Sequence, residues 1–102
     1  MDNAVYELAC RFAKLVSEQF SPLAVYLYGS QVNGTATEYS DIDIAVIIPP
    51  METHERMQMI SELISMAAKV HGSIEPYVVI DNGKFDRFSF YAEVVETGIK
   101  LM

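Results

Sequence analysis

Between Asn3 and Phe20 the apolar residues Val5, Leu8, Ala9, Phe12, Leu15, Val16 and Phe20 recur at the spacing of one helical face, with Glu7, Arg11, Lys14 and Glu18 largely opposite. The pattern predicts an amphipathic helix, broken at Ser21-Pro22. Residues 23–28 form a short apolar run rich in β-formers, a buried strand that ends on Gly29. A polar stretch over 29–40 leads into a second apolar run, 41–48, too short and too β-branched for a typical helix and closed by Pro49-Pro50. Thr53 is placed to cap a helix with Met57, Ile60, Leu63, Ile64 and Ala67 on its inner face, stopped at His71-Gly72. Residues 74–80 read as a third strand, Asp81-Asn82-Gly83 as a turn, and 86–97 as a last amphipathic segment before Gly98.

The order α, β, loop, β, α, β, α predicts an α/β layer structure in which helices cover a small sheet. Its length of 102 residues predicts one domain spanning 1–102, and a composition 51% hydrophobic and 21% charged predicts a modest buried core. Fourteen acids against seven Lys and Arg give a formal charge of -7, which argues against a nucleic-acid-binding surface. The single Cys10 excludes an intrachain disulfide and a Cys-rich zinc site. With no signal-like N-terminus and no long apolar run, the expected location is cytoplasmic, away from membranes.

The chemistry concentrates in Gly29-Ser30-Gln31-Val32-Asn33-Gly34, the hydroxyl-rich residues 35–40, and Asp41-Ile42-Asp43. A glycine directly after a strand permits a sharp turn and close approach of a ligand to the main chain, and Ser30 adds a hydroxyl beside exposed backbone N–H groups. A helix starting near Ser30 would favour an anion, although Ser30 as an ordinary N-cap is the commoner reading of a Gly-Ser turn alone. Asp41 and Asp43, two apart on a strand, project to one face about 7 Å from each other. Aspartate is depleted in strands, and like charges held close raise each other's pKa unless a cation intervenes. Such oxygen ligands suit Mg²⁺ or Mn²⁺. Read alone, Asp41 as a loop cap and Asp43 on a solvated face remain open. Glu75 begins the third strand, its backbone held extended by Pro76, and shares a face with Ser73, Tyr77 and Val79, so it converges on the aspartates if the strands are neighbours. The alternative is an exposed strand-end glutamate.

Gly29-Ser30, ten residues, then Asp41-x-Asp43 opening an apolar strand, with a later carboxylate on its own strand, closely resembles the minimal nucleotidyltransferases of the DNA polymerase β-like superfamily. The resemblance spans essentially the whole chain and implies the palm fold of that superfamily, a small mixed sheet flanked by helices. It implies that Gly29 and Ser30, with Gly34 and Ser40 nearby, bind a nucleoside triphosphate. Asp41, Asp43 and Glu75 would hold two Mg²⁺ ions and act as the catalytic carboxylates, so that a nucleotide, most often AMP from ATP, passes to an acceptor hydroxyl with loss of pyrophosphate. Two such ions would bring the formal charge from -7 to -3. Relatives of this size are commonly paired with a small helical HEPN-domain protein in two-component modules, several of which behave as toxin and antitoxin, and there the nucleotidyltransferase resembles an antitoxin that adenylylates a tyrosine of its partner. The resemblance therefore implies a protein partner, in a homo- or hetero-oligomer, that presents the acceptor. The chain departs from many relatives in having Gln31, Val32 and Asn33 where they carry arginines, and Glu75 where they carry aspartate.

A reading from a different class is a non-catalytic subunit that neutralises or scaffolds a helical partner by contact. A metal-dependent glycosyltransferase using Asp-x-Asp ranks lower for want of a sugar-nucleotide fold, and a P-loop NTPase is excluded because no Gly-Lys-Ser/Thr follows the glycine turn. Along the last segment Phe88, Tyr91, Ala92, Val95 and Ile99 share one face and Phe90 and Val94 another, read as extra core burial, with a partner surface as the alternative. Met57, Met59 and Met66 read as adaptable core, and His54 and His71 as solvated helix ends. Tyr28 and Tyr39 border the motif, to stack on a base or to pack against it.

Overall fold

The first helix, α1 (Asn3–Phe20), starts at Asp2, whose carboxylate accepts from the amides of Ala4 and Val5, and ends at Ser21 in the left-handed conformation. The computed structural model describes residues 2–102. Ala9, Phe12, Ala13 and Val16 form its buried stripe, while Leu15, expected on that stripe, lies at its margin and is exposed. Four strands make one mixed sheet in the order β3-β2-β1-β4, comprising β1 (Ala24–Tyr28), β2 (Ile42–Ile48), β3 (Ile74–Ile80) and β4 (Ile99–Lys100). The β1–β2 and β1–β4 pairs are antiparallel and β2–β3 is parallel. A parallel pair needs a crossover, supplied by α3 (Thr53–Val70).

The sheet is covered on both faces, which is why β2 reads as a continuous apolar run rather than an alternating one. Ile42, Ile44, Val46 and Ile48 pack with Phe12, Val16, Met59 and Leu63 of α1 and α3. Ala45 and Ile47 pack on the other side with Val79 and with Val94 of α4 (Phe90–Thr97). Asp43 is the exception in an otherwise buried strand.

Several local expectations change. Thr53 does not cap α3; it is the first helical residue, after Glu52, which makes no side-chain capping bond. The helix carries two overlapping apolar stripes, and the one holding Met59, Leu63 and Ala67 is buried. That stripe reaches α1 as well as the sheet, with Met66 and Val70 alongside, whereas Met57 and Ile64 point to solvent, 58% and 56% exposed. At the other end His71 is the C-cap in an extended conformation, its N–H bonded to Ala67 O, so a left-handed Gly72 is not the stop. The last helix starts later than predicted because Ser89 Oγ caps it at Ala92 N, while Asp86 Oδ1 turns the chain by accepting from Phe88 N. Ala92 and Val94 are its buried residues, and Phe88 and Val95 are exposed.

The fourth strand was not anticipated, for it is only two residues long and follows the helix after one glycine. Gly98 is required by space: a Cβ there would lie 2.5 Å from Val94 O and 2.9 Å from Leu27 O. At the opposite edge, Ile42 N bonds to Ser73 O and Asp81 N to Ile48 O, a phase that turns residues 74, 76, 78 and 80 of β3 outward. Pro76 therefore places its missing N–H at the open edge, where no ladder bond is lost.

Candidate metal and nucleotide site

The candidate carboxylates gather at one end of the sheet. Because β1 is antiparallel to β2 and β3 is parallel to it, the end of β1 lies beside the starts of β2 and β3. Tyr28, Asp43 and Glu75 stand in register across the three strands. Asp41 lies two residues before Asp43, and carboxylate oxygens of Asp41, Asp43 and Glu75 all come within 4.8 Å of one another. The side chains thus close the wider spacing expected from the strand rise.

Burial raises the Asp43 pKa, and the charges of Glu75 and Asp41 raise it further; none of these groups is a cation. Three hard oxygen donors from two strands, with mutual repulsion and no offsetting cation among the groups acting on Asp43, fit a divalent ion such as Mg²⁺ or Mn²⁺.

Gly29 turns the chain out of β1 with φ 78°. Two constraints hold it as glycine, the left-handed φ and space, since a Cβ would come 2.5 Å from Asp43 Oδ2. It begins α2 (Ser30–Asn33), a single turn in which the Val32 and Asn33 amides bond back to Gly29 O. Gly29, not Ser30, is the N-cap, and it makes no side-chain capping bond. Gly34 closes the turn at φ 84° as a left-handed C-cap.

The next residues are ordered by short polar contacts. Ser40 Oγ accepts from Thr37 N, and Asn33 Oδ1 accepts from Thr35 N and Thr35 Oγ1. Gln31, a departure from the arginine pattern, has a structural task that the sequence did not disclose. Its Nε2 donates to Ser40 O at 3.4 Å and Asp41 O at 3.3 Å, tying α2 to the backbone that carries the first aspartate.

The predicted residues divide between two surfaces. Gly29 lies against Asp43 and the carboxylate cluster. Ser30, Gly34 and Ser40 instead line a cavity of about 540 Å³, which opens between that segment and the start of α1 and includes Leu8, Ile42 and Ser73.

Tyr28 does not project into open space. Ala45 is small, so the rings of Tyr28 and Tyr77, from the flanking strands, meet beside it with centroids 5.9 Å apart. Phe90 of α4 completes the group, 5.4 Å from Tyr28 and 6.5 Å from Tyr77. Burial, then the charge of Asp43, pushes the Tyr28 pKa up. Hydrogen bonding to Glu75 is the first cause raising that of Tyr77. Tyr39 stands clear of the site, 86% exposed. The strand period already put Tyr77 on Glu75's face, but its meeting with Tyr28 and Phe90 depends on sheet order and register. His71 is more than a solvated end, since its Nδ1 accepts from Ser73 N and fixes the turn into β3.

No helix among the described residues is long and apolar enough to cross a membrane. A search of the curated proteins found no sequence match. Among solved structures, a proposed nucleotidyltransferase from Sulfolobus solfataricus is similar at 26% identity and a TM-score of 0.66, over 95% of this chain and 78% of that one. A mutant of the toxin–antitoxin pair MntA-HpeT, with two aspartates two residues apart changed to glutamate, is similar at 22% identity and a TM-score of 0.57, over 90% and 70% of the two chains. That second likeness speaks to the fold. The nucleotidyltransferase domain family matches residues 9–94, spanning both strands and all three carboxylates of the cluster, and this chain belongs to that family.

Proposed function

We propose that the protein transfers a nucleotide, AMP from ATP, to a hydroxyl on a partner protein, using Asp41, Asp43 and Glu75 with divalent metal. The observation that carries this reading is the convergence of three carboxylates within 4.8 Å beside a glycine turn in a nucleotidyltransferase domain. Asp41, Asp43 and Glu75 would hold Mg²⁺, two ions in the family's pattern, which when bound supply charge neutralisation at the α-phosphate and lower the pKa of the attacking hydroxyl. In this reading Gly29 and Ser30 supply the phosphate end of the site: the missing Cβ at Gly29 lets the Asp43 carboxylate lie against the turn, and the amides of Ser30 and Gln31 have no intrahelical acceptor. The reading also assigns Ser30, Gly34 and Ser40 to nucleotide binding, from the resemblance; they line the cavity on the other surface of this segment rather than the carboxylate cluster.

In this reading Glu75 takes the acceptor proton, supported by its position across from Asp43 on an edge strand of the sheet. The partner is proposed from the likeness to MntA, whose structure is described as part of a toxin–antitoxin pair; for this chain the corresponding partner is a small helical HEPN-like protein. Incubation with that partner, ATP and Mg²⁺ should release pyrophosphate, and the Asp41→Asn, Asp43→Asn double variant should release none while still binding the partner. Equal biological activity of the double variant would favour a purely scaffolding role and defeat the proposal.

A further inference from the structure

We propose that two copies of this chain associate about a two-fold axis at the β3 edge of the sheet, pairing β3 with β3 and packing α3 on α3. The residues that make this contact lie outside the carboxylate cluster, so it does not depend on the nucleotidyl-transfer reading.

The first observation is an apolar face of α3 on which nothing packs. Met57, Ile60, Ile64 and Ala68 recur along one side of the helix with Ser61 and Ser65 beside them, and Met57 and Ile64 are more than half exposed. No carboxylate falls on this stripe, in a chain of net charge -7. The outer face of α1 carries Glu7 and Glu18, and that of α4 carries Glu93 and Glu96, all exposed. Two copies that repel one another overall therefore meet with least repulsion along α3.

The second observation is where that face lies. The helix α3 covers β3, the outermost strand, and its other flank meets α1, where Gln19 Nε2 donates to Glu62 Oε2 at 3.3 Å. The stripe is on the flank away from α1, so it overhangs the open edge of β3. Along that edge the backbone groups of residues 74, 76, 78 and 80 point outward. Ile74 N–H is taken by His71 O and Pro76 has none, which leaves Val78 and Ile80 as the open donors. An antiparallel pair of β3 strands centred on Val79 gives each of these N–H groups a carbonyl, Val78 donating to Ile80 of the second copy and Ile80 to its Val78. Glu75 and Pro76 stay outside that ladder.

The third observation identifies the occupant as a second copy. Met57 and Ile64 stand symmetrically about Ile60-Ser61, so in an antiparallel helix pair each Met57 meets Ile64 of the other copy, and the small Ser61 gives Ile60 room at the centre. Counted from the turn at 71–73, Ile60-Ser61 lies about 14 Å back along the helix and Val79 about 16 Å along the strand. One two-fold axis therefore serves both contacts, the self-complementarity that an isologous dimer requires. The product is a sheet continuous across two copies, with both carboxylate clusters on the face opposite α3.

One helix face and one strand edge per copy bury less than the roughly 800 Å² per partner of a standard interface, so sedimentation equilibrium of the full chain should span about 1–200 µM. A mass of twice 11.4 kDa is expected at the top of that range. Ile64→Glu and Met57→Glu, at exposed positions where circular dichroism should find the fold intact, should each weaken association about thirtyfold or more, the loss of a central contact. Leu23→Glu, at an apolar residue that is 55% exposed on the α1–β1 connection, should leave association unchanged. Amide hydrogen exchange at Val78 and Ile80 should slow as concentration rises in the parent protein and not in Ile64→Glu. A chain that stays monomeric throughout, association that survives both α3 substitutions or is lost equally in Leu23→Glu, or exchange at Val78 and Ile80 that ignores concentration would each overturn the proposal. So would a monomer that binds a HEPN-like protein through Ile64, since the face would then serve a different occupant.

Discussion

Replacing Asp43 with asparagine tests the electrostatics of the carboxylate cluster. The substitution is nearly isosteric and removes one charge from a side chain that lies against the bare Cα of Gly29. Two like charges at 4.8 Å repel by about 1 kcal/mol in bulk water and about 3.5 kcal/mol at an effective dielectric of 20. Asp43 faces two such neighbours and is only partly buried. Discounting for solvent screening, Asp43→Asn should stabilise the metal-free protein by about 1–2 kcal/mol, a rise of about 5–10 °C in melting temperature. The sign follows from the raised folded-state pKa: the ionised form is disfavoured in the fold, so the penalty is present above that pKa and vanishes as pH falls below the ordinary carboxylate range. Calorimetry or circular dichroism in EDTA, across pH, should find the variant's advantage at neutral pH shrinking toward acid and with added salt. Mg²⁺ or Mn²⁺ should reverse the order by stabilising the parent protein more. A variant no more stable than the parent in EDTA would refute the account of mutual repulsion.

Gly29→Ala forces an L side chain to φ 78° and its Cβ onto Asp43; thermal melts should record a loss of about 2 kcal/mol, and Mn²⁺ titration a loss of metal affinity. Gln31→Ala should cost less than about 1 kcal/mol in stability, because its bonds are long and partly exposed, yet weaken Mn²⁺ binding severalfold by freeing the backbone at Asp41. Phe12→Ala empties the largest side chain of the fully buried core and should cost about 3–5 kcal/mol, read by urea denaturation.

Much of this structure was legible in the residues. The helix over Asn3–Phe20, the three longer strands and the common face of Asp41 and Asp43 follow from local periodicity and are present, and Glu75 joins that face because β2 and β3 are neighbours, the condition on which the sequence reading set its convergence. The failures share a cause. On α3 two apolar stripes compete, and only packing against both α1 and the sheet decides that Met57 and Ile64 face outward. On α4 the choice of Ala92 and Val94 for burial follows from strand neighbours that periodicity does not contain. The two residues of β4 form a strand only because Gly98 lets them approach Leu27. At the site, the Asp41–Asp43 pair was readable because its spacing is local, and Glu75 only on the condition that its strand neighbours theirs. The brace from Gln31 and the meeting of Tyr28, Tyr77 and Phe90 were not, since both depend on how separate segments come together.

The central claim, nucleotidyl transfer, is tested most directly by mass spectrometry of the proposed HEPN-like partner after incubation with this protein, ATP and Mg²⁺. The account predicts that the partner gains the mass of one AMP on a hydroxyl side chain, with one pyrophosphate released per transfer, and that nothing is gained with the Asp41→Asn, Asp43→Asn double variant. An unmodified partner that is nevertheless bound and neutralised, or equal modification by the double variant, would contradict it.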